Sequence, residues 1–212
     1  HGDEVMTSVS LPFTVNLYGA SYSSVFASSN GFVEFGQNTN AFGFSLPNAG
    51  LGPLINVCER DTTTSGGGLG IFTTTVGSAP NRTFIIEWRM NSLAGGTLNA
   101  EIKFFEGLDV YETLYTTSTS VNTVSIGIQS AAGGKSTVFS NATTIPAANT
   151  RLIFTPTSSA SGYLAIGATP PYLVTSSPTK EEANFMISDL RIANIARPLS
   201  YFQQIYNYGA LP

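Results

Sequence analysis

The side chains most often used in catalysis are scarce in this sequence. The chain has one histidine, His1, and one cysteine, Cys58. A serine or cysteine nucleophile needs a neighbouring base, and a histidine at the chain end is poorly placed to act as one. A structural zinc site needs four Cys or His ligands, and a disulfide needs two cysteines. We therefore predict neither site and interpret Cys58 as a small, buried, apolar side chain.

The acidic residues need separate consideration, because two carboxylates at a suitable separation suffice for glycoside hydrolysis. The candidates are Glu87 and Glu101 in predicted strands, and Glu59 and Asp61 beside a predicted loop. Carboxylates that alternate with apolar residues along a strand usually face solvent or pair with nearby cations, here Arg89 and Lys103. We predict that the protein is not an enzyme and has no catalytic residue.

Oxygen-bearing side chains in the loops raise the question of calcium. The candidates are Asp61, Thr62, Asn38 and Asn40. The sequence has neither EF-hand spacing nor an Asp-rich repeat. A loop calcium site is therefore left open, and no other metal or cofactor is predicted.

Aromatic residues are the more informative group, with 14 Phe, 9 Tyr and 1 Trp. Trp88 lies in a strongly apolar predicted strand, so we expect it in the core. Tyrosines near loops or on strand faces can stack against a ligand such as a sugar ring. The candidate platform residues are Tyr18, Tyr22, Tyr111 and Tyr115.

The composition limits the classes of partner and compartment. Charged residues make up only 10% of the 212 residues, and the net charge is −4. The Lys and Arg residues are scattered singly, which argues against nucleic-acid binding. No apolar stretch approaches the roughly 18 residues of a membrane span. Such a chain is typical of extracellular, cell-surface or virion-surface proteins, where Asn81 and Asn141 would be possible glycosylation sites.

Residues 1–157 contain many short segments in which apolar and polar residues alternate, as in strands. Asn30-Gly31 between two of them is a strong hairpin signal. The predicted strands are residues 9–17, 25–27, 32–35, 42–46, 69–76, 83–90, 98–106, 110–116, 124–129, 137–140 and 151–155. We predict an all-β domain, a two-layer antiparallel β-sandwich of jelly-roll-like form.

Residues 158–212 are interpreted as a C-terminal extension of linker, strand and short helix. The strand is predicted at residues 185–195, with the apolar residues Phe185, Ile187, Leu190 and Ile192. The helix is predicted at residues 201–208, between a capping Ser200 and a closing Gly209. Two modes remain open for the strand: docking on its own sheet, or addition to the sheet edge of a neighbouring subunit. Protein partners or self-assembly are therefore expected.

Several motifs follow one another in a familiar order. They are Leu11-Pro12-Phe13, Leu17-Tyr18-Gly19, Ser29-Asn30-Gly31-Phe32, Phe84-Ile85-Ile86-Glu87-Trp88 and Ile126-Gly127-Ile128-Gln129. Over residues 5–157 the chain resembles nidogen-like β-sandwich modules. The resemblance implies an extracellular module, usually one part of a longer chain, and no particular ligand. Where such modules often carry a Trp-Asp-Asp-like acidic turn, this chain has Val57-Cys58-Glu59-Arg60-Asp61.

A second, shorter resemblance lies in the extension. Ile187-Ser188-Asp189-Leu190-Arg191-Ile192 and Ile205-Tyr206-Asn207-Tyr208-Gly209 are similar to the end of a laminin-G or concanavalin-like jelly roll. The favoured function is thus a non-catalytic structural or adhesion module, a subunit or decoration of an extracellular assembly or virion. The alternative is a carbohydrate-binding, lectin-like module.

Overall fold

The structure, a computed structural model, describes residues 1–119, 123–142, 145–156, 163–167 and 172–174. All of them belong to one unit of the chain, His1–Ser177. The strand predicted at residues 185–195, the helix predicted at residues 201–208 and the laminin-G-like motif lie outside the described residues.

The described residues form fourteen strands in two antiparallel sheets, together with a short 3-10 turn, Ala131–Gly133. The first sheet has the order β1-β2-β3-β4-β10-β11. Its strands are β1 (Met6–Leu17), β2 (Ala20–Ser28), β3 (Phe32–Glu34), β4 (Leu54–Glu59), β10 (Val124–Gln129) and β11 (Ser136–Ala142).

The second sheet has the order β14-β13-β12-β9-β8-β7-β5, and β6 also pairs with β7. Its strands are β5 (Thr62–Thr63), β6 (Gly70–Val76), β7 (Thr83–Ser92), β8 (Thr97–Phe105), β9 (Tyr111–Ser118), β12 (Thr150–Phe154), β13 (Tyr163–Gly167) and β14 (Tyr172–Val174). β5 and β6 occupy different stretches of the same side of β7. The prediction of an all-β, two-layer antiparallel sandwich is confirmed.

The core lies between the sheets and follows from the alternation along the strands. In β7 and β8 every second residue is buried and its neighbour is half-buried or exposed. Trp88 is fully buried, and its indole Nε1 donates a hydrogen bond to the Ser28 carbonyl at 2.8 Å. This confirms the prediction that Trp88 anchors the core, and the bond satisfies the one polar atom that its burial removes from water.

The Asn30-Gly31 hairpin is also confirmed, because β2 and β3 pair with Ser28 opposite Phe32. Gly31 has φ of 76°, and a Cβ there would lie 2.5 Å from the Cys58 carbonyl oxygen. A larger residue would therefore be strained twice, by its backbone conformation and by this contact. The Gly31 carbonyl accepts bonds from the Val57 and Cys58 amides, each at 3.0 Å, which joins the hairpin to β4.

The strand predicted at residues 42–46 does not form. Residues 35–53 run as a long loop between β3 and β4. Leu46 and Leu51 pack with Leu54 in a second apolar cluster, and Phe44 contacts Phe32 edge-on at 5.4 Å. The apolar periodicity in this segment arises because the loop covers the outer face of the first sheet. For the same reason all six residues of β4 and all six of β10 are buried.

Candidate functional site

The structure corrects the prediction for two of the four candidate platform tyrosines. Tyr111 and Tyr115 are fully buried in the core. Their hydroxyls donate hydrogen bonds to the carbonyls of Asn16 and Val57, respectively. Burial raises the pKa of both phenols well above the ordinary value. Residues four apart on a strand point to the same face, and on β9 that face is turned toward the core. Neither side chain can therefore contact a ligand at the surface.

Tyr18 and Tyr22 lie near the surface and are half-buried. The Tyr22 ring packs against Phe35 with centroids 4.8 Å apart, and Tyr18 occupies the turn between β1 and β2 with φ of 51°. Burial raises the pKa of each of these phenols. Each side chain thus combines a packed ring with a partly accessible edge, and ligand binding by this pair stays a prediction.

The two predicted glycosylation sites are both exposed but differ in what their side chains bond to. Asn81 is exposed in the turn between β6 and β7. The Asn141 side chain is engaged: its oxygen accepts from the Leu46 amide at 3.0 Å, and its nitrogen donates to the Leu46 carbonyl at 2.5 Å. A sugar on Asn141 would replace a hydrogen atom on that nitrogen, so modification there competes with the attachment of the loop. Asn81 is the better placed acceptor.

Buried polar side chains of the first sheet hold the loop of residues 35–53 in place. Glu34 accepts hydrogen bonds from the Thr39 amide at 2.7 Å and the Gly52 amide at 2.9 Å. Gln129 accepts from the Asn48 amide at 2.8 Å and donates to the carbonyls of Asn48 and Gly52, both at 3.0 Å. These bonds satisfy backbone groups that the loop would otherwise leave unpaired against the sheet. The sequence pattern gave no sign of this role for Glu34, and Gln129 stood out only as the last residue of a strand motif.

Glu59 is the fourth attachment of this loop, beside Asn141, Glu34 and Gln129. Only 2% of the residue is exposed, and its carboxylate accepts from the Gly43 amide at 2.5 Å. Burial raises its pKa to about 7, although the amides of Gly43 and Phe44 and the charge of Arg60 act in the opposite direction. Arg60 is itself 7% exposed, and its Nε and Nη1 have no hydrogen-bond partner within the described structure.

Three carboxylates gather where the first residues of the chain meet the β4–β5 connection. Oxygen atoms of Asp3, Glu4 and Asp61 lie within 4.8 Å of one another. The Asn40 side chain approaches the same place and donates to the Glu4 carbonyl at 2.7 Å. Thr62 does not join them, because its hydroxyl donates inward to the Ser29 carbonyl at 2.7 Å. Asp61 and Asn40 were among the candidate calcium ligands predicted from the sequence, whereas Asp3 and Glu4 were not. Calcium binding stays a prediction.

The strand carboxylates lie on the outer face of the second sheet, where they form ion pairs. Glu87 accepts from Arg89 at 2.8 Å, and Lys103 lies 3.7 Å from Glu101. Glu112 continues the row, 2.8 Å from Lys103 and 3.2 Å from Arg151. The prediction that Glu87 and Glu101 partner nearby cations is confirmed. Each of these carboxylates has a cation beside it, so the row forms an ion-pair network on the outer face of the sheet.

A groove of about 400 Å³ opens between β1, the edge of the first sheet, and β6, on the edge of the second. Its lining combines Ser and Thr with apolar side chains. The lining includes Thr7, Val9, Ser10, Ile71, Thr73 and Phe84. Among the described strands, β1 pairs only with β2 and β6 only with β7, so both walls of the groove present strand edges. Such edges expose backbone donors and acceptors to an added strand.

A comparison with known protein families gives one match. A family model described as NIDO related, that is nidogen-related, matches residues 1–165. The chain belongs to this family. Membership indicates an extracellular module of structural or adhesive type. No curated protein and no solved structure gives a significant match. In the part of the chain that the structure describes, no helix is long and apolar enough to cross a bilayer.

Proposed function

We propose that this nidogen-related chain is a non-enzymatic structural or adhesion module, a component of an extracellular layer, cell-surface assembly or virion surface. The match of the family over residues 1–165 is the observation that carries the proposal. The composition supports it, because a chain with only 10% charged residues and many Ser and Thr can present a polar surface without strong repulsion between copies.

The partners that fit this module are proteins. The groove between β1 and β6 combines Ser and Thr with apolar side chains, and the β6 edge beside it suits an extended segment of another chain. The predicted strand with Phe185, Ile187, Leu190 and Ile192 is one such segment, and it remains a prediction because it lies outside the described residues. A carbohydrate-binding role would rest on Tyr18 and Tyr22 alone, since Tyr111 and Tyr115 are buried.

The location of the protein in its native source tests this proposal. Intact cells or particles are treated with a membrane-impermeant amine reagent, for which the exposed Lys135 is a target. The labelled material is then washed in high salt and fractionated. We expect the chain to carry the label and to stay with the insoluble surface fraction, while a cytosolic marker stays unlabelled. An unlabelled chain in the cell interior contradicts the proposal.

A further inference from the structure

The edges of the two sheets differ in how well they are protected against pairing with another chain. In β1 the register with β2 breaks between Ser10 and Val15, and Pro12 lies inside that break. In β11 the register with β10 also shifts, and the neighbouring Asn141 side chain holds Leu46 of the long loop. Strand β14, at the far end of the second sheet, has three residues. Bulges, proline, covering loops and short strands are the usual protections of a sheet edge.

Within the part of the chain that the structure describes, strand β6 has no bulge, no proline and no covering loop beyond its first three residues, 70–72. Its seven residues, Gly70–Val76, pair with β7 in an unbroken register from Gly70 opposite Arg89 to Val76 opposite Thr83. The strand contains neither proline nor charge, and the five residues from Phe72 to Val76 are all exposed. The chain start contacts only the beginning of the strand, where the His1 ring packs edge-on against Phe72 with centroids 6.3 Å apart, while Asp3 bridges to Thr63 of β5. A long, uncharged strand edge with an unbroken register is a site where another strand adds.

We propose that β6 pairs antiparallel with β6 of a second copy of this chain, about a two-fold axis at Thr74. In that register Thr74 faces Thr74 of the second copy, Thr73 faces Thr75, and Phe72 faces Val76. Threonine pairs and aromatic–β-branched pairs are both favourable across antiparallel strands. The edge is therefore complementary to itself, as a two-fold interface between identical subunits requires.

The charges near this edge do not oppose the pairing. The residue opposite Phe72 on β7 is Glu87. The Glu87 carboxylate forms an ion pair with Arg89 at 2.8 Å. The Arg89 guanidinium in turn lies over the Phe72 ring, 4.6 Å from its centroid. The Glu87–Arg89 pair therefore adds no net charge beside this part of the strand. The pairing joins the second sheets of two subunits into one continuous sheet. It rests on the proposed structural role and identifies the strand through which copies of the module would associate.

Charged substitutions at Thr74, of either sign, test the pairing on the full-length protein. Light scattering coupled to size-exclusion chromatography should show a dimer of the wild type that grows with concentration. In Thr74→Lys and in Thr74→Glu, like charges meet at the axis and weaken the dimer by roughly fivefold or more. An equimolar mixture of the two variants should regain dimers, because Lys then faces Glu. Fluorescence of Trp88 verifies that each variant is folded.

Thr116→Lys is the matched control, because Thr116 is also an exposed strand threonine but lies on β9, between β8 and β12. It should dimerise like the wild type. A wild type that stays monomeric at every concentration, or a mixture that stays monomeric, overturns the proposal. Those outcomes leave the extracellular role untouched, since that role is judged by the location of the protein in its native source.

Crosslinking examines the register. Directly opposed residues of antiparallel strands have Cα atoms about 4.5–5.5 Å apart, a separation that a disulfide bridges. Thr74→Cys should therefore form a covalent dimer under mild oxidation, whereas Thr116→Cys stays monomeric. The buried Cys58 does not compete. Equal crosslinking of the two variants would contradict pairing about Thr74.

Discussion

Glu59 is a buried carboxyl group whose protonation state affects the stability of this fold. Its carboxyl group is almost fully buried at the end of β4, and burial raises its pKa from 4.5 to about 7. The folded state therefore binds this proton more tightly than the unfolded state does. The contribution to stability is largest below pH 4.5 and is lost as pH rises through about 7.

We expect the free energy of unfolding to rise as pH falls from 8 to 5, with up to about 3 kcal/mol contributed by Glu59. Urea unfolding followed by the fluorescence of Trp88, the single tryptophan, measures it. Glu59→Gln keeps a hydrogen-bond acceptor without the titration, so its curve should be flatter over this range. Glu106→Gln is the control, because Arg82 lowers the pKa of Glu106. Parallel curves for wild type and Glu59→Gln would contradict the assignment.

Cys58 offers a second measurement at the residue scale. It is fully buried, and burial raises its pKa to about 12. Only the thiolate reacts, so we expect the native protein to react with a thiol reagent at least about a hundredfold more slowly than the protein in denaturant. Absorbance of the released thiolate reports the rate. Fast reaction of the native protein would show that β4 opens readily.

At the scale of elements, the loop of residues 35–53 matters most. It has no regular secondary structure of its own. Its backbone is held by hydrogen bonds to the side chains of Glu34, Glu59, Gln129 and Asn141. Its own Leu46 and Leu51 pack against Leu54 of β4. Long loops without secondary structure are uncommon in small domains and are often functional. Here the loop turns the outer face of the first sheet into a second apolar layer while leaving Phe42 51% exposed.

Gln129→Ala should detach the middle of this loop. The change leaves the Asn48 amide and the Gly52 carbonyl without their buried partner, and we expect a loss of about 2–4 kcal/mol in the free energy of unfolding. Amide hydrogen exchange should accelerate at Asn48 before it does in β7. Asn38→Ala, at an exposed position of the same loop, should change neither quantity. Unchanged exchange at Asn48 in Gln129→Ala would contradict this account.

At the scale of the whole molecule, the second sheet continues past the predicted domain end at residue 157. β13 pairs with β12 along its whole length, from Thr150 opposite Gly167 to Phe154 opposite Tyr163, and β14 pairs with β13. The hydrogen bonds of β12 are therefore completed by residues that the sequence interpretation assigned to the extension.

A chain that stops after Pro156 should thus expose the edge of β12. We expect it to lose several kcal/mol of stability and to aggregate at concentrations where the full chain stays soluble. Thermal unfolding and light scattering measure the two effects. The matched comparison is a chain that stops after Ser177, which keeps β13 and β14 and should behave like the full chain. Equal solubility of the two truncated chains would contradict the role of β13.

Much of the fold could be predicted because one-dimensional patterns determine which face of a strand is buried. The alternation around Trp88 identified β7 and its inward side chains, and Asn30-Gly31 identified the β2–β3 hairpin, since both signals act between neighbours in the sequence. The same local pattern was misleading at residues 42–46, where apolar residues face a sheet without joining it. It also did not indicate on which face of β9 Tyr111 and Tyr115 lie.

The sequence by itself thus determined the all-β class, the family resemblance, the buried Cys58 and the ion-paired strand carboxylates, all of which follow from residue type and spacing. Tertiary structure alone decided the rest, because the deciding groups are distant in the chain. Gln129 meets Asn48, Asp3 and Glu4 meet Asp61, and β1 faces β6 across the groove. Burial of Glu59 raises its pKa only once the loop covers it, since desolvation depends on what packs above a side chain.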